Sequence, residues 1–467
     1  MRAMRAHHVV ASVLFLGDNA RAFTAPRQVF PSSTHQRTST SLHAIVTAEL
    51  APRNMAQLED WGAQNGIQKV DGLELYSEDG LDWQYITTVD IPAGTTIMFI
   101  PAGVCLASSA VEAELKAASN GGMQAAIDQL GRIGGQNSVA DFNLFVKLLA
   151  EYEQEDNSPF LPWIDSLPRL FYNAVSMTDF CYECLPPLVF SLSRLEKVKF
   201  DNFKQVLGKV DIVSDYVKQN DEVLKWAFNS VYTRAYADKD GQGSDVTLIP
   251  MGDMFNHGTE TEIEVYFDEG GNGMVYTSAD VAANSPLRIS YGCPTNPSFL
   301  FARYGFLDET SPATFCKMMD IPKTPENVNV GMDFSKMLFY HDTGDISQEV
   351  MDVVLYAKVL NSLKSSPETD GYKDAFYNAH MTGDENTKAM IHEQFRYQTI
   401  KEIKTHVDTF LESLGQLERK SYGKSADEHP RLPLILRHNE FVKETFLKVQ
   451  SNLGSALAQY EGAMAYA

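Results

Sequence analysis

The chain has 467 residues, 44% hydrophobic and 21% charged, a mix that excludes a disordered chain or a small disulfide scaffold and suits a sizeable core. Lys and Arg number 39 against 61 Asp and Glu, a net charge of −22. That field repels nucleic-acid phosphates and anionic lipid, so neither nucleic acid nor membrane is an expected partner, whereas a basic protein segment is.

The first 44 residues do not pattern as fold. Arg2 and Arg5 precede the apolar run Val9–Leu16, far short of the ~20 residues a membrane span needs. Ala20-Arg21-Ala22 offers a small-x-small cleavage site, so this start reads as a secretory signal. From Phe23 no acid occurs before Glu49, while Ser, Thr, Arg27 and Arg37 recur, which is transit-peptide composition. The junction Ala20–Pro26 resembles the Ala-Phe-Ala-Pro motif of bipartite plastid presequences in diatoms and related algae. That resemblance implies a presequence over 1–44 and the stroma of a complex plastid as destination; the alternative is a plain signal peptide with an unstructured tail. The five cysteines (Cys105, Cys181, Cys184, Cys293, Cys316) form no disulfide framework and suit a reducing compartment. Cys181 and Cys184 spell CxxC without a second pair, and read as two buried thiols on a helix or turn.

Leu58 and Trp61 before Gly66 predict a short helix with a glycine stop. Leu73–Leu75, Gln84–Val89 and Thr96–Ile100 read as strands, with a turn at Pro92–Gly94. Helices are expected from about 109 to 236: Phe142, Phe145, Leu148, Leu149 and Tyr152 follow the 3.6-residue period. Ser158–Pro168 is a connector too broken by proline for a helix. Leu188–Leu207 and Asp221–Tyr236 read as helices, the second with Asp221 as N-cap. Strands return at Val246–Ile249, Glu262–Phe267, Met274–Tyr276 and Leu287–Tyr291, with Gly270–Gly273 as a hairpin turn. From about 330 the pattern is helical, and Ile400, Ile403, Val407, Phe410 and Leu414 mark a bundle face that reads as core. The fold class is α+β: a β unit over 45–315 interrupted by helices at about 109–236, then an all-α unit over 316–467.

No Walker A loop, GxSxG elbow, HExxH or GxGxxG occurs. The densest polar cluster is Asp253-Met254-Phe255-Asn256-His257-Gly258, with Glu260 and Glu262 nearby. It can be read as a metal site using Asp253, His257 and Glu260, though the spacing matches no established ligand pattern. It can be a loop satisfying its own backbone, or a cofactor-recognition segment. Downstream, Tyr291-Gly292 and Tyr304-Gly305 are two tyrosines each beside glycine; taken singly, both read as core aromatics.

Together and in this order, these residues resemble the SET-domain protein methyltransferases, in the subgroup of the Rubisco large-subunit lysine methyltransferases. The resemblance spans about 55 to 460. Val231–Tyr236 is similar to the family's Ser-Arg-Ala-Phe helix end, and Pro250–His257 to its Pro-x-x-Asp-x-x-Asn-His motif. Ser290–Gly292 and Tyr304–Phe306 match the two tyrosine motifs, and Phe160–Pro168 resembles a signature of the helical insertion. The implied architecture is a SET-type β fold with a helical insertion, followed by an all-α C-terminal substrate-binding lobe.

The resemblance implies S-adenosylmethionine as methyl donor, no metal, a monomer, and a lysine of a protein as acceptor, the Rubisco large subunit or another plastid protein. Histidine as acceptor, or a SET fold that binds protein without transferring, are the alternatives. By position, Asp79, Gly80, Leu81, Arg234, Asn256, His257, Tyr266 and Tyr304 would contact the donor. Arg234, Asp253 and Tyr304 would contact the substrate, and Tyr291 would be the catalytic tyrosine. Two positions depart from the family pattern: Asp82 stands where its acidic-Gly-x-Gly turn has a second glycine, and Asp238 where relatives carry a basic residue.

Overall fold

The computed structural model describes residue 49 and residues 51–237, 245–363 and 371–466; the expected presequence over 1–44, and Asp238, lie outside the described residues. Leu73–Tyr76 and Gln84–Thr87 pair antiparallel with Leu73 opposite Thr87, and Ser285–Pro286 adds to the other edge. A second sheet runs Gln68–Lys69, Thr96–Ile100, Gly273–Thr277, Ile263–Phe267. Its inner face takes alternate residues, Ile263 and Val265 on one strand and Gly273, Val275 and Thr277 on the next. The hairpin between them is held by Asp268, whose Oδ1 accepts from the Gly270 and Asn272 N–H groups at 2.8 and 2.9 Å.

Between the strand groups lie the helices Ser108–Ala118, Gly122–Arg132, Val139–Gln154, Pro187–Leu207 and Asp221–Arg234. Phe142 and Phe145 turn onto Phe203, with ring centroids 5.2 and 5.5 Å apart, and Phe203 onto Phe228. These helices and the sheets share one apolar core, so the insertion folds as part of the β unit.

Two local expectations are corrected. Leu161–Ser166 is helical despite the surrounding prolines, because Pro162 stands in the first turn, where no intrahelical N–H bond is required. The helix expected from Asp221 to Tyr236 ends at Arg234, and its N-cap is Asn220, whose side chain accepts from the Val223 N–H. Asp221 instead sits in the first turn, paired with Lys204 and Lys225.

Ala313–Phe315 pairs antiparallel with Leu338–Tyr340, and this ladder leads into the C-terminal lobe. There the helices Arg396–Ser421 and Leu432–Tyr466 pack together, burying Ile400, Ile403, Val407, Phe410 and Leu414 against Val442, Phe446 and Val449. Cys181 and Cys184 are buried thiols, packed with Phe301, Leu432 and Ile435 where insertion and lobe meet. Among the described residues no helix is long and apolar enough to cross a membrane.

Candidate active site

Strand Val246–Leu248 stops before Pro250, and the chain turns through Met251 at φ +66°, ψ −42°, a conformation rare for a side-chain-bearing residue. After the short turn Gly252–Met254, Asn256–His257 pairs in parallel with Arg288–Ile289. This pairing sets Asn256 and His257 beside Ser290 and Tyr291. Helix Pro297–Tyr304 ends at Gly305, φ +79°, where a Cβ would lie 2.3 Å from the Asn173 nitrogen. Only glycine fits there, and its close approach fixes the end of the helix that carries Tyr304.

The Tyr291 hydroxyl donates to the Phe255 carbonyl at 2.7 Å, and its ring lies 4.8 Å from that of Tyr304. Tyr304 donates back to the Tyr291 carbonyl at 3.3 Å, and Phe306 packs 6.2 Å from both rings. Burial pushes the Tyr291 phenol above its ordinary range, so it stays protonated. Tyr236 donates to the Gly252 carbonyl at 2.7 Å, next to Asp253 in the chain. Burial, then the Tyr291 phenol and the Asp253 carboxylate, push its own phenol upward.

Asp253 is buried beneath the tyrosines. Arg234 Nη1 donates to its carbonyl and lies 3.3 Å from its Oδ2, and Trp163 Nε1 donates to the same Oδ2 at 3.2 Å. Burial raises the Asp253 carboxyl despite these partners. Arg53 reaches the same spot from before the first helix. Its Nη1 donates to the Leu81 carbonyl at 2.9 Å, its Nε to the Ser166 carbonyl at 2.6 Å, and its Nη2 to Met254 Sδ at 3.3 Å. Arg234 Nε and Asp253 Oδ1 are buried without a hydrogen-bond partner.

The turn over 77–83 forms the outer wall. Asp79 Oδ1 accepts from the Leu81 and Asp82 N–H groups at 2.8 and 3.0 Å, and Gly80 N–H donates to Ser77 Oγ. Asp79 therefore builds the turn, and its carboxylate is occupied by it. Gly80, at φ +75°, carries no Cβ into the space in front of it.

The structure thus gathers Arg234, Asp253, Asn256, His257, Tyr291 and Tyr304, with the 79–81 turn alongside. The ring of His257 is turned to Tyr291, and Tyr266 lies apart from this group. His257 points inward: its Nδ1 accepts from the Tyr291 N–H at 3.0 Å, which puts the proton on Nε2, 3.3 Å from Asp308 Oδ2. The imidazole thus braces Tyr291. Burial alone would raise Asp308, but the facing His257 ring and hydrogen bonds from Thr259 and Thr310 pull it down to about 2. Tyr266 meets Tyr276 edge-on across the sheet, 5.4 Å away, and among the described residues no ring contact ties it to Tyr291 or Tyr304. The metal reading finds no geometry. Asp253 turns to Arg234 and Trp163, His257 to Tyr291 and Asp308, and among the described residues no three His, Cys, Asp or Glu converge.

Sequence reasoning did not single out Arg53, Trp163, Tyr236 or Asp308. Trp163 and Tyr236 lie within the quoted motifs and so carried a signal; Arg53 and Asp308 carried none.

No family model matches this chain, and no curated protein does. Solved structures do. The chain is similar to Rubisco LSMT bound to sinefungin and monomethyllysine, at 15% identity and TM-score 0.55, covering 87% of this chain and 92% of that one. It is similar to Rubisco LSMT bound to AdoMet, at 15% identity and TM-score 0.52, covering 88% and 93%. It is also similar to the SET domain of LSMT bound to methyllysine and AdoHcy, at 16% identity and TM-score 0.53, covering 88% and 93%. At such identity the likeness is one of fold: the chain has the LSMT-type SET fold with a helical C-terminal region.

Proposed function

We propose that this chain, built on the LSMT-type SET fold, is an S-adenosylmethionine-dependent protein-lysine N-methyltransferase acting on a plastid protein. The observation that carries the reading is the Tyr291 hydroxyl, which donates a hydrogen bond to the Phe255 carbonyl beside the rings of Tyr304 and Phe306. Its oxygen lone pairs remain available to accept an N–H from an amine, and that aims the amine lone pair away from the hydroxyl. Burial among aromatic rings disfavours the charged ammonium, so an entering lysine loses its proton more readily.

The donor supplies a methyl group on a sulfonium when bound. The residues present fit it. Arg234 Nε is a buried donor without a partner, Asn256 sits on the strand paired with Arg288–Ile289 just before Tyr291, and Gly80 leaves open space at the turn. Tyrosine faces offer a site for a cation. Support for a lysine acceptor comes from the solved structures, in which LSMT is bound to monomethyllysine or methyllysine.

The test is incubation of the chain lacking residues 1–44 with methyl-labelled S-adenosylmethionine and plastid extract, followed by peptide mapping. Label on a lysine of a plastid protein is the expected result. Label on histidine would move the acceptor, and no label with the donor bound would leave a protein-binding scaffold. The plastid reading rests on residues 1–44, which fused to a fluorescent protein should deliver it to the stroma, with Phe23→Ala stalling it. Cytosolic fluorescence of the unaltered fusion would sink it.

A further inference from the structure

We propose that Asn173 is a positioning residue for Tyr304: locked in a ring of hydrogen bonds with Asn229 and Ser176, it fixes the helix end that carries Tyr304 and ties it to the helix that carries Arg234. The inference deepens the methyl-transfer reading above and rests on it for its activity readout.

The ring is closed and runs in one direction. Asn173 Nδ2 donates to Asn229 Oδ1 at 2.9 Å, Asn229 Nδ2 to Ser176 Oγ at 3.2 Å, and Ser176 Oγ to Asn173 Oδ1 at 3.3 Å. Each member gives one proton to the next and accepts one from the last. Both asparagines are buried, where an unpaired polar group is costly and a fully paired network holds one arrangement. One proton is left over, the second on Asn173 Nδ2, and it goes to the Arg303 carbonyl at 3.1 Å. Turned over, the Asn173 amide would set its oxygen against two acceptors, so the ring fixes where that N–H points.

Arg303 stands just before Tyr304, in the last turn of Pro297–Tyr304, where carbonyls lack an intrahelical partner. Gly305 N–H takes the Phe301 carbonyl at 3.0 Å, and Asn173 takes that of Arg303. Gly305 itself packs on the Asn173 backbone. The side chain and main chain of one residue therefore hold both neighbours of Tyr304, whose ring lies 4.8 Å from that of Tyr291.

A second link runs the same way. Arg303 Nη2 donates to the Tyr232 carbonyl at 3.2 Å, and its Cζ stands 4.3 Å from the Tyr232 ring centre and 5.4 Å from that of Tyr304. Asn229 and Tyr232 both lie on Asp221–Arg234, whose last residue meets Asp253. One helix thus registers the acceptor-side tyrosine against the donor-side arginine. In-line transfer demands that register, since a displacement of about 1 Å can cost about a hundredfold in rate.

The test compares the full chain with Asn173→Ala, Ser176→Ala and Ser176→Thr. Ser176→Ala opens the ring by removing one oxygen, and Ser176→Thr keeps the hydroxyl. The initial rate of methyl transfer from labelled S-adenosylmethionine to protein of a plastid extract should fall about tenfold in both alanine variants and stay at the wild-type level in Ser176→Thr, with the donor Kd from calorimetry within about twofold of wild type throughout. Ser176→Ala decides alone where Asn173→Ala does not fold. A lower Tm with an unchanged rate would overturn the proposal, as would a rate that falls only as far as donor binding weakens, or an equal loss in Ser176→Thr. If the wild-type chain transfers nothing, the functional reading fails, and the positioning is judged by fluorine NMR with a fluorotyrosine in place of Tyr304. A shifted or split line in Ser176→Ala, with the wild-type line kept in Ser176→Thr, supports it; the same line in all variants overturns it.

Discussion

The Tyr291 backbone N–H donates to His257 Nδ1 at 3.0 Å, and the opposite ring nitrogen of His257 faces Asp308 at 3.3 Å. A chain of three residues thus runs from a buried carboxylate, through a tautomer-fixed imidazole, to the backbone of the tyrosine at the centre of the site. The Tyr291 side chain is separately tied to Phe255, so ring and backbone are held from two directions.

Tyr291→Phe keeps the ring and removes the oxygen that accepts from the amine. Turnover should fall about a hundredfold or more while donor affinity stays near wild type. Single-turnover kinetics beside calorimetry separates the two, and unchanged turnover would remove Tyr291 from the reaction.

Asn256→Ala and His257→Ala should differ, although the two residues are adjacent. Asn256 is assigned to the donor by its place in the motif and has no role in bracing Tyr291, so its loss should weaken donor binding. The His257 ring is committed to the Tyr291 N–H, so its loss should lower kcat and thermal stability with less change in donor Kd than loss of Asn256. Circular dichroism must show both variants folded, and equal losses of donor affinity would contradict the bracing role.

Asp308 links the site to pH. Its folded carboxyl is depressed from 3.8 to about 2, so its contribution is fully present above the unfolded value and is lost as pH falls from about 4 to about 2. The depression corresponds to about 2 kcal/mol of stability at neutral pH. Urea unfolding of wild type and Asp308→Asn should therefore converge near pH 2 and diverge above pH 4.

Lys317 is buried at φ +63°, with its ammonium on Ser298 Oγ at 3.1 Å; Ser298 in turn meets His438. No carboxylate is paired with Lys317 among the described residues. Burial depresses it from 10.5 to about 7, and burial with the Lys317 charge holds His438 down to about 3. The unfolded chain binds the proton more readily, so Lys317 costs stability increasingly as pH falls from about 10 to about 7. Lys317→Met should stabilise the protein by a few kcal/mol at neutral pH, with the gain vanishing above about pH 10.5. A lower Tm for Lys317→Met at pH 7 would refute this.

What the sequence determined by itself was periodic or local. The alternation at Ile263–Phe267 and the 3.6-residue period at Phe142–Tyr152 and Ile400–Leu414 state which face is apolar, and burial follows from that. The order of Asn256-His257, Tyr291 and Tyr304 was legible because each carries neighbours that mark it. Tertiary structure decided the rest. It set Arg53 against Met254 across 201 positions and Trp163 against Asp253 across 90, and turned the His257 ring toward the Tyr291 N–H. It left Tyr266 on the sheet face and tied Tyr236 to the Gly252 carbonyl. Local pattern records the side on which a residue is apolar; it carries no record of which distant charge or carbonyl a buried polar group must find, because that partner is chosen only when packing removes water from both.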